Sequence, residues 1–360
     1  MIKVLGLALY GVQAASTRYR VAQYVPGLKG EGIDLHVVPL LGNEYIKTTF
    51  GGKKYNAKAL IGDYIARLAC LTKQGNYDLA LVQAELFPFL PGSIEARLLR
   101  IPYIYDFDDA FFLKYRQERF QRVSFLLKDK FAPVITRAAA VLAGNHYLAA
   151  YASQLNPTTT LLPTVVDTDR YAQLPSKRDD IFTIGWIGSP STSVYLSALA
   201  LPLAQLGREG PVRFVIVGGR CGAIDGVEVV SLPWEEATEV SLINTFDVGV
   251  MPLFDDEWAR GKCAFKLIQY MACGVPVVAS PVGANLDVIN DSCGLLASDS
   301  EAWLEGLRRL RDDRALRRDM GIAARQRIEQ SYCLRAALPI MSNAIKTVAA
   351  NHKMPQHVSD

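Results

Sequence analysis

Short apolar runs alternate with longer amphipathic stretches along this chain. In the first 170 residues the runs are IKVLGLAL, IDLHVVPL, LALVQA, PYIYDF, AAVLAG and TTTLLPTVV. Apolar runs of this length with little polar alternation are typical of strands buried on both faces, as in parallel sheets. Between them, Tyr19–Leu28, Lys58–Lys73 and Phe111–Arg137 carry helical spacing. Strands alternating with helices predict right-handed βαβ units and the α/β class. The polar segment AQLPSKRDD, Ala172–Asp180, contains Pro175 and reads as a linker. A second set follows: FTIGWIG, VRFVIVGG, VEVVSL, VGVMPL, VPVVAS and CGLLAS, with helices expected at Val194–Leu206, Glu235–Asn244, Ala264–Cys273 and Leu286–Asn290. From Glu301 the pattern is helical, and a last helix is expected over Leu334–Asn351.

The pattern therefore predicts two Rossmann-like, doubly wound domains, residues 1–172 and 180–333, and a C-terminal segment, 334–360. Two such halves on one linker would face each other across a deep cleft between two sets of strand ends. No internal repeat period is visible.

Composition narrows the function. At 360 residues, with 50% hydrophobic and 21% charged positions, the chain is globular and long enough for two cores. No apolar run approaches the roughly 18 to 20 residues needed to span a bilayer. The start, MIKVLGLALYG, reads as a first strand rather than a signal peptide, because a glycine turn follows it directly and no small-residue cleavage site is present. A cytoplasmic protein is expected. The six cysteines are scattered with no C-x-x-C pair, which predicts free thiols, no disulfide and no zinc. A net charge of +3 is too small to argue for nucleic acid, but residues 1–170 hold 20 Lys/Arg against 14 Asp/Glu.

The most informative stretch is Asp255–Gly283, DDEWARGKCAFKLIQYMACGVPVVASPVG. A basic loop runs into an amphipathic helix, then a Gly-Pro stop, a buried strand and a second glycine turn. Helix starts offer N–H groups and a partial positive charge to anions, and parallel sheets bind ligands outside their carboxyl ends. Arg260, Lys262 and Lys266 add cations to such a start, which favours a diphosphate. Lys266 and Gln269 lie three apart and so share a face.

Four further features carry candidate chemistry. In GWIGSPST, Gly188 ends a strand, and Ser189, Ser191 and Thr192 either cap the next helix or hold a phosphate. In IPYIYDFDDAFF, Asp106, Asp108 and Asp109 follow a strand, which suits sugar hydroxyls, general-base work, a metal or helix capping. In AASTRYR, Arg18 and Arg20 would look across the cleft at a phosphate or an acidic acceptor. The run Phe111–Phe131 mixes aromatics with cations, so Phe120, Val123, Phe125, Leu127 and Phe131 could enter a membrane interface beside anionic headgroups, or simply pack a core. Trp234 is a candidate wall for a nucleobase.

With these motifs quoted, the chain resembles the GT-B glycosyltransferases. More specifically it is similar to the large retaining group, group 1 or family 4, that builds bacterial cell-surface glycans from sugar nucleotides. The similarity rests on FDVGVMPL, KLIQYMACGVPVVASPVGANLDVI, GLLA and RRDMGIAARQRIEQSY. It implies a nucleotide held by the second domain, an acceptor bound by the first, and a last helix that crosses back to the first domain. The family's donor motif has two Glu separated by seven residues. Gln269 stands at the second position, which implies hydrogen bonds to ribose hydroxyls. Gly261 stands at the first, so that carboxylate is missing, with Asp255, Asp256 or Glu257 as possible replacements. The Arg and Lys that many members place after the first donor-domain strand are absent from GWIGSPST, which shifts the diphosphate role onto Arg260, Lys262 and Lys266. Asp108 stands where the family has a His, and Asp109 matches the Asp that follows it.

These readings together predict transfer of a hexose from a UDP- or GDP-linked donor to a hydroxyl of a lipid-linked or polysaccharide acceptor. The expected catalytic residues are Asp108, Lys262 and Lys266. Donor contacts are expected from Gly188, Ser189, Ser191, Thr192, Trp234, Arg260 and Gln269, and acceptor contacts from Arg18, Arg20, Asp106 and Asp109. No cofactor and no divalent metal is expected, and peripheral contact with an anionic membrane is. A nucleotide-sugar epimerase of the same architecture and a non-catalytic nucleotide-sugar-binding partner protein are the alternatives.

Overall fold

A computed structural model of the chain describes residues 1–50, 53–174 and 181–353. The chain forms two compact units, Met1–Thr164 together with the chain from Ala337 on, and Val165–Ala336. Of the expected linker, residues 175–180 lie outside the described residues, as do residues 354–360.

In the first unit the strands are β1 (Ile2–Tyr10), β2 (Ile33–Leu41), β3 (Leu79–Gln83), β4 (Tyr103–Phe107), β5 (Ala140–Ala143) and β6 (Thr159–Leu161). They form one parallel sheet in the order β2-β1-β3-β4-β5-β6. β1, β3, β4 and β5 bury almost every residue, as expected where helices cover both faces. The run TTTLLPTVV gives only the short β6, because Pro163 cannot donate to a ladder. The last helix, Leu334–Lys353, buries Ala337, Met341, Ile345 and Val348, and Lys346 reaches Glu31 of this unit at 2.6 Å.

The second unit holds β7 (Phe182–Ile187), β8 (Val212–Val217), β9 (Val227–Leu232), β10 (Val248–Met251), β11 (Val277–Ala279) and β12 (Gly294–Leu296). Its parallel sheet runs β12-β11-β10-β7-β8-β9, which read from the other edge is the 3-2-1-4-5-6 order of dinucleotide-binding sheets. Ile184, Trp186, Phe214 and Ile216 of the sheet pack with Leu199, Leu203, Leu206, Trp303 and Leu307 of the helices.

Four expected long helices are broken: Val194–Leu206 is divided between the 3-10 helix Pro190–Leu199 and the helix Ala200–Glu209, and the other three break for local reasons. Tyr19–Leu28 is split into Ala15–Arg20, a 3-10 turn at Ala22–Tyr24 and Val25–Gly30, with Pro26 in the first turn of the last piece. Phe111–Arg137 becomes two 3-10 turns and the helices Gln121–Leu127 and Phe131–Arg137, because Tyr115 is drawn inward to Glu85 and Pro133 fits only a helix start. Beyond Glu301, Asp313 ends one helix and caps the next, accepting from Leu316 N at 2.8 Å.

Candidate functional site

In the second unit the strand order reverses between β7 and β10, and a ligand should sit beyond their carboxyl ends. β7 delivers Gly188 there, and β10 leads through residues 252–264 into the helix Phe265–Ala272. That helix opens on Ala264, whose backbone is left-handed at φ 52°, and its start has no side-chain cap and no acidic residue in its first turn. A helix start without a cap keeps its anion affinity.

Lys266 is half-buried in this first turn and lies over the ring of Trp186, its Nζ 5.4 Å from the centroid. The cation–π contact holds the ammonium at the end of β7. Gly188 is what admits it: a Cβ there would lie 2.9 Å from Lys266 Cε and 2.4 Å from the Trp186 ring. Lys262, also half-buried, precedes the helix by one turn. Tyr270 Oη accepts from Ile187 N at 2.8 Å and ties the helix to the end of β7. Gly188 and Lys266 therefore meet at the switch point, and Lys262 stands three residues before the helix start.

Arg260 belongs to a separate arrangement. It forms a bidentate pair with Asp255 at 2.7 and 3.0 Å, while Asp256 caps the short helix Glu257–Arg260 by accepting from Ala259 N. Asp255 is held below the usual carboxylate range, first by its hydrogen bond with Arg260. Two of the three carboxylates considered as replacements for position 261 are thus committed locally.

The hydroxyls of GWIGSPST also serve the turn they stand in. Thr192 Oγ1 accepts from Ser189 N at 3.2 Å and donates to Ser189 O at 3.0 Å, and Ser189 and Ser191 share a hydrogen bond at 2.9 Å. These hydroxyls form a capping box on a 3-10 helix, Pro190–Leu199.

Sequence reasoning missed the floor of the site. Gly218, at φ 78°, follows β8, and a Cβ on it would lie 2.3 Å from Gly188 O and 2.9 Å from Trp234 Cβ. The signal was the Gly-Gly pair ending VRFVIVGG. Trp234 is 37% exposed, and its indole donates to Glu239 Oε2 at 2.6 Å, which orients the ring beside Gly218. Gln269 is buried and its Nε2 donates to Tyr171 Oη at 2.9 Å.

In the first unit, Arg20 and Asp106 are fully buried and grip each other, with Arg20 Nε 3.1 Å from Asp106 Oδ2 and a second, shorter contact from Nη2 to Oδ1. Arg20 Nη1 also donates to Leu162 O at 2.7 Å. The expectation that Arg20 and Asp106 face a ligand is corrected: an ion pair this deeply buried ties β4 to the chain after β1. Arg18 is 8% exposed and packs over the Tyr19 ring, 5.0 Å from its centroid, with Nη1 reaching Val12 O. Asp109 Oδ1 accepts from Ala110 N at 3.0 Å in the turn that follows β4.

Asp108 is half-buried beside these groups. Burial pushes its carboxyl up to about 7; Arg20 opposes the shift, and Asp106 and Asp109 add to it. A carboxyl that binds its proton more tightly folded than unfolded contributes its full stability below its unfolded pKa, and loses it as pH rises through the folded pKa. For Asp108 that window runs from 3.8 to about 7. Asp108→Asn is expected to flatten the fall of Tm with pH across this window; parallel curves for the two proteins would show that Asp108 does not titrate there.

A second cluster unseen in the sequence follows β3. Glu85 is buried against Lys130 at 2.9 Å, Tyr115 at 2.7 Å and Lys114, and Glu95 lies 3.4 Å from Lys130. Burial alone would raise Glu85, but Lys130 and Lys114 outweigh it and hold the carboxyl below its ordinary value. Leu127 and Phe131, expected as membrane-facing alternatives, are core residues at 2% and 3% exposure, whereas Phe125 and Leu126 are 75% and 57% exposed. No helix of the described residues is long and apolar enough to cross a membrane.

Comparison with known proteins agrees with this fold. Residues 178–313 match the family model of the glycosyl transferases group 1. Over 113 residues the chain is 34% identical to a D-inositol 3-phosphate glycosyltransferase of Pseudarthrobacter chlorophenolicus, a match spanning 30% of this chain and 26% of that protein's length. In fold it is similar to Anabaena Alr3699/HepE, solved in complex with UDP and glucose, with TM-score 0.70 and 15% identity over 96% of this chain and 100% of that one. It is also similar to the sucrose-phosphate synthase of Thermosynechococcus elongatus, with TM-score 0.66 and 15% identity over 98% and 100% of the two chains. The two six-stranded parallel sheets are those of the GT-B architecture, and the group 1 match falls within the second unit's sheet and helices.

Proposed function

We propose that the protein is a glycosyltransferase that moves a hexose or hexose derivative from a nucleoside diphosphate to a hydroxyl of a lipid-linked or polysaccharide acceptor, with retention at the anomeric carbon. The observation that carries this reading is Lys266 held over Trp186 and against Gly188, at a helix start with no side-chain cap, at the switch point of a 3-2-1-4-5-6 sheet. The demanding event is departure of the diphosphate as positive charge develops on the sugar. Two ammonium groups and a helix start stabilise that anion without a divalent metal. UDP is the nucleotide favoured by the fold relative that binds UDP and glucose. Trp234 walls the base, Gln269 meets the ribose, and the first unit receives the acceptor near Asp108 and Asp109.

The test is incubation with UDP- and GDP-sugars in the presence of EDTA. Slow release of free sugar from one donor is expected. Inversion at a sugar carbon would replace this reading with an epimerase, and binding without turnover would replace it with a non-catalytic partner.

Contact with an anionic membrane on the cytoplasmic side fits the exposed apolar groups of the first unit. Ile61, Ile65 and Leu68 line one face of the helix Ala57–Thr72 at 60%, 61% and 47% exposure. Phe125 and Leu126 stand among the exposed cations Arg119, Arg122 and Lys128. Apolar side chains with cations beside them bind anionic interfaces. Ile61→Ser/Ile65→Ser is expected to weaken co-sedimentation with phosphatidylglycerol vesicles at least about tenfold, since full burial of each side chain contributes roughly 1.5–3 kcal/mol and even partial burial of the two exceeds the roughly 1.4 kcal/mol of a tenfold change. Unchanged co-sedimentation would remove this helix from the membrane face.

A further inference from the structure

Four side chains of the second unit form a hydrogen-bonded relay from the edge of the sheet to the helix of the phosphate site: Trp234, Glu239, Tyr171 and Gln269. Glu239 and Tyr171 are buried at 3% and 0% exposure, and neither is marked by any spacing in the sequence. The order of protons in this relay is forced. Trp234 Nε1 can only donate, and it donates to Glu239 Oε2 at 2.6 Å. A carboxylate can only accept, so the hydroxyl of Tyr171 gives its one proton to Glu239 Oε1. The phenol oxygen is then left with lone pairs alone for Gln269. Of the two ends of the Gln269 amide, only the NH2 can meet them, and Nε2 lies 2.9 Å from Oη. The amide oxygen is thereby turned away from the tyrosine. It has no hydrogen-bond partner among the described residues.

The relay also spans the right ground. Gln269 lies three residues after Lys266 on one helix face, so a diphosphate at Lys266 brings the attached ribose toward Gln269. Trp234 stands against Gly218, which in turn abuts Gly188 O.

We propose that Glu239 is a positioning residue that, acting through Tyr171, presents the Gln269 amide oxygen as an acceptor to ribose hydroxyls and holds Trp234 beside the base. The inference rests on the nucleotide-sugar reading of this site. A neutral amide can offer either of its ends to a ligand, and a carboxylate two hydrogen bonds away decides which one. The relay thus makes the site selective for a ribose, because a sugar without hydroxyls leaves the aimed acceptor unpaired.

The test is calorimetric binding of UDP, GDP and their 2′,3′-dideoxy counterparts, with Tm and circular dichroism as folding controls. The parent protein is expected to bind one ribonucleotide about 10-fold or more tighter than its dideoxy form. In Glu239→Gln the new amide can donate to Tyr171, whose proton then swings to Gln269 and draws the amide oxygen inward; the preference is expected to fall to within about threefold. Tyr171→Phe removes the hydroxyl that orients the Gln269 amide, so the preference is expected to fall there too, without any new donor. In Gln269→Glu two carboxylates compete for one phenolic proton, and binding weakens; adding Glu239→Gln to it frees that proton and restores the preference. Restoration by the second substitution separates orientation from mere packing, which two substitutions would only damage further. Ribose preference unchanged in both Glu239→Gln and Tyr171→Phe would overturn the relay while leaving the nucleotide site standing. A parent protein that binds neither UDP nor GDP would overturn the nucleotide reading and the relay with it.

Discussion

Lys266→Ala is expected to lower turnover about 100-fold, and Lys262→Ala by a similar factor, in proteins that remain folded. On the proposed function, each substitution removes a cation from the place where the leaving diphosphate gains charge. Loss of one preorganised electrostatic donor costs on the order of 3 kcal/mol, which is roughly a hundredfold in rate. Lys266 carries the further contribution of its geometry, since its ammonium is held over Trp186. Lys266→Arg keeps the charge but not the compact ammonium, and should recover only part of the loss. Single-turnover kinetics with a saturating donor measure the effect directly. Near-normal rates in both alanine variants would remove the lysines from the chemistry and leave the helix start and Gly188 as the remaining candidates.

Asp106→Ala is expected to destabilise the first unit by about 3–5 kcal/mol, because it strands the Arg20 guanidinium in a buried, unpaired state. Asp106 and Arg20 have side chains at 0% exposure. Leu162 O at 2.7 Å still accepts from Arg20, but it carries no charge to balance it. Joint replacement, Arg20→Met/Asp106→Leu, should recover most of the loss, since an apolar pair of similar volume avoids the desolvation cost altogether. Because the chain has two units, whole-protein melting is not a two-state measure, and hydrogen exchange of the β1 and β4 amides is the better readout. A cost under about 1 kcal/mol, with activity nonetheless lost, would return Asp106 to the acceptor site and discard the structural role given to it here.

The sheets were legible because a strand buried on both faces leaves an unbroken apolar run, as in IKVLGLAL or VRFVIVGG. Strand order was not, since nothing local to β7 and β10 says that they are neighbours. Helix breaks were under-read where a tertiary contact overrides propensity, as where Tyr115 turns inward to Glu85. The candidate site's cations, Lys262 and Lys266, and its helix start were legible because they are contiguous in sequence. Its aromatic support was not: Trp186 meets Lys266 only once β7 and the helix are adjacent. Arg20 and Asp106 looked like ligand groups because charge is visible in a sequence and burial is not. Glu239 was invisible for a related reason, being 68 positions from Tyr171, which is itself 98 positions from Gln269.

The central claim is that a nucleoside diphosphate is bound at the β7–β10 switch point by Lys262, Lys266 and the helix start at Ala264. A crystal structure of the protein grown with UDP, or with GDP if that binds tighter, tests it most directly. The account predicts phosphate oxygens within hydrogen-bonding distance, about 3 Å, of the Lys262 and Lys266 ammonium groups and beside Gly188. A nucleotide bound elsewhere, with the space above Gly188 and Lys266 filled only by water, would contradict it.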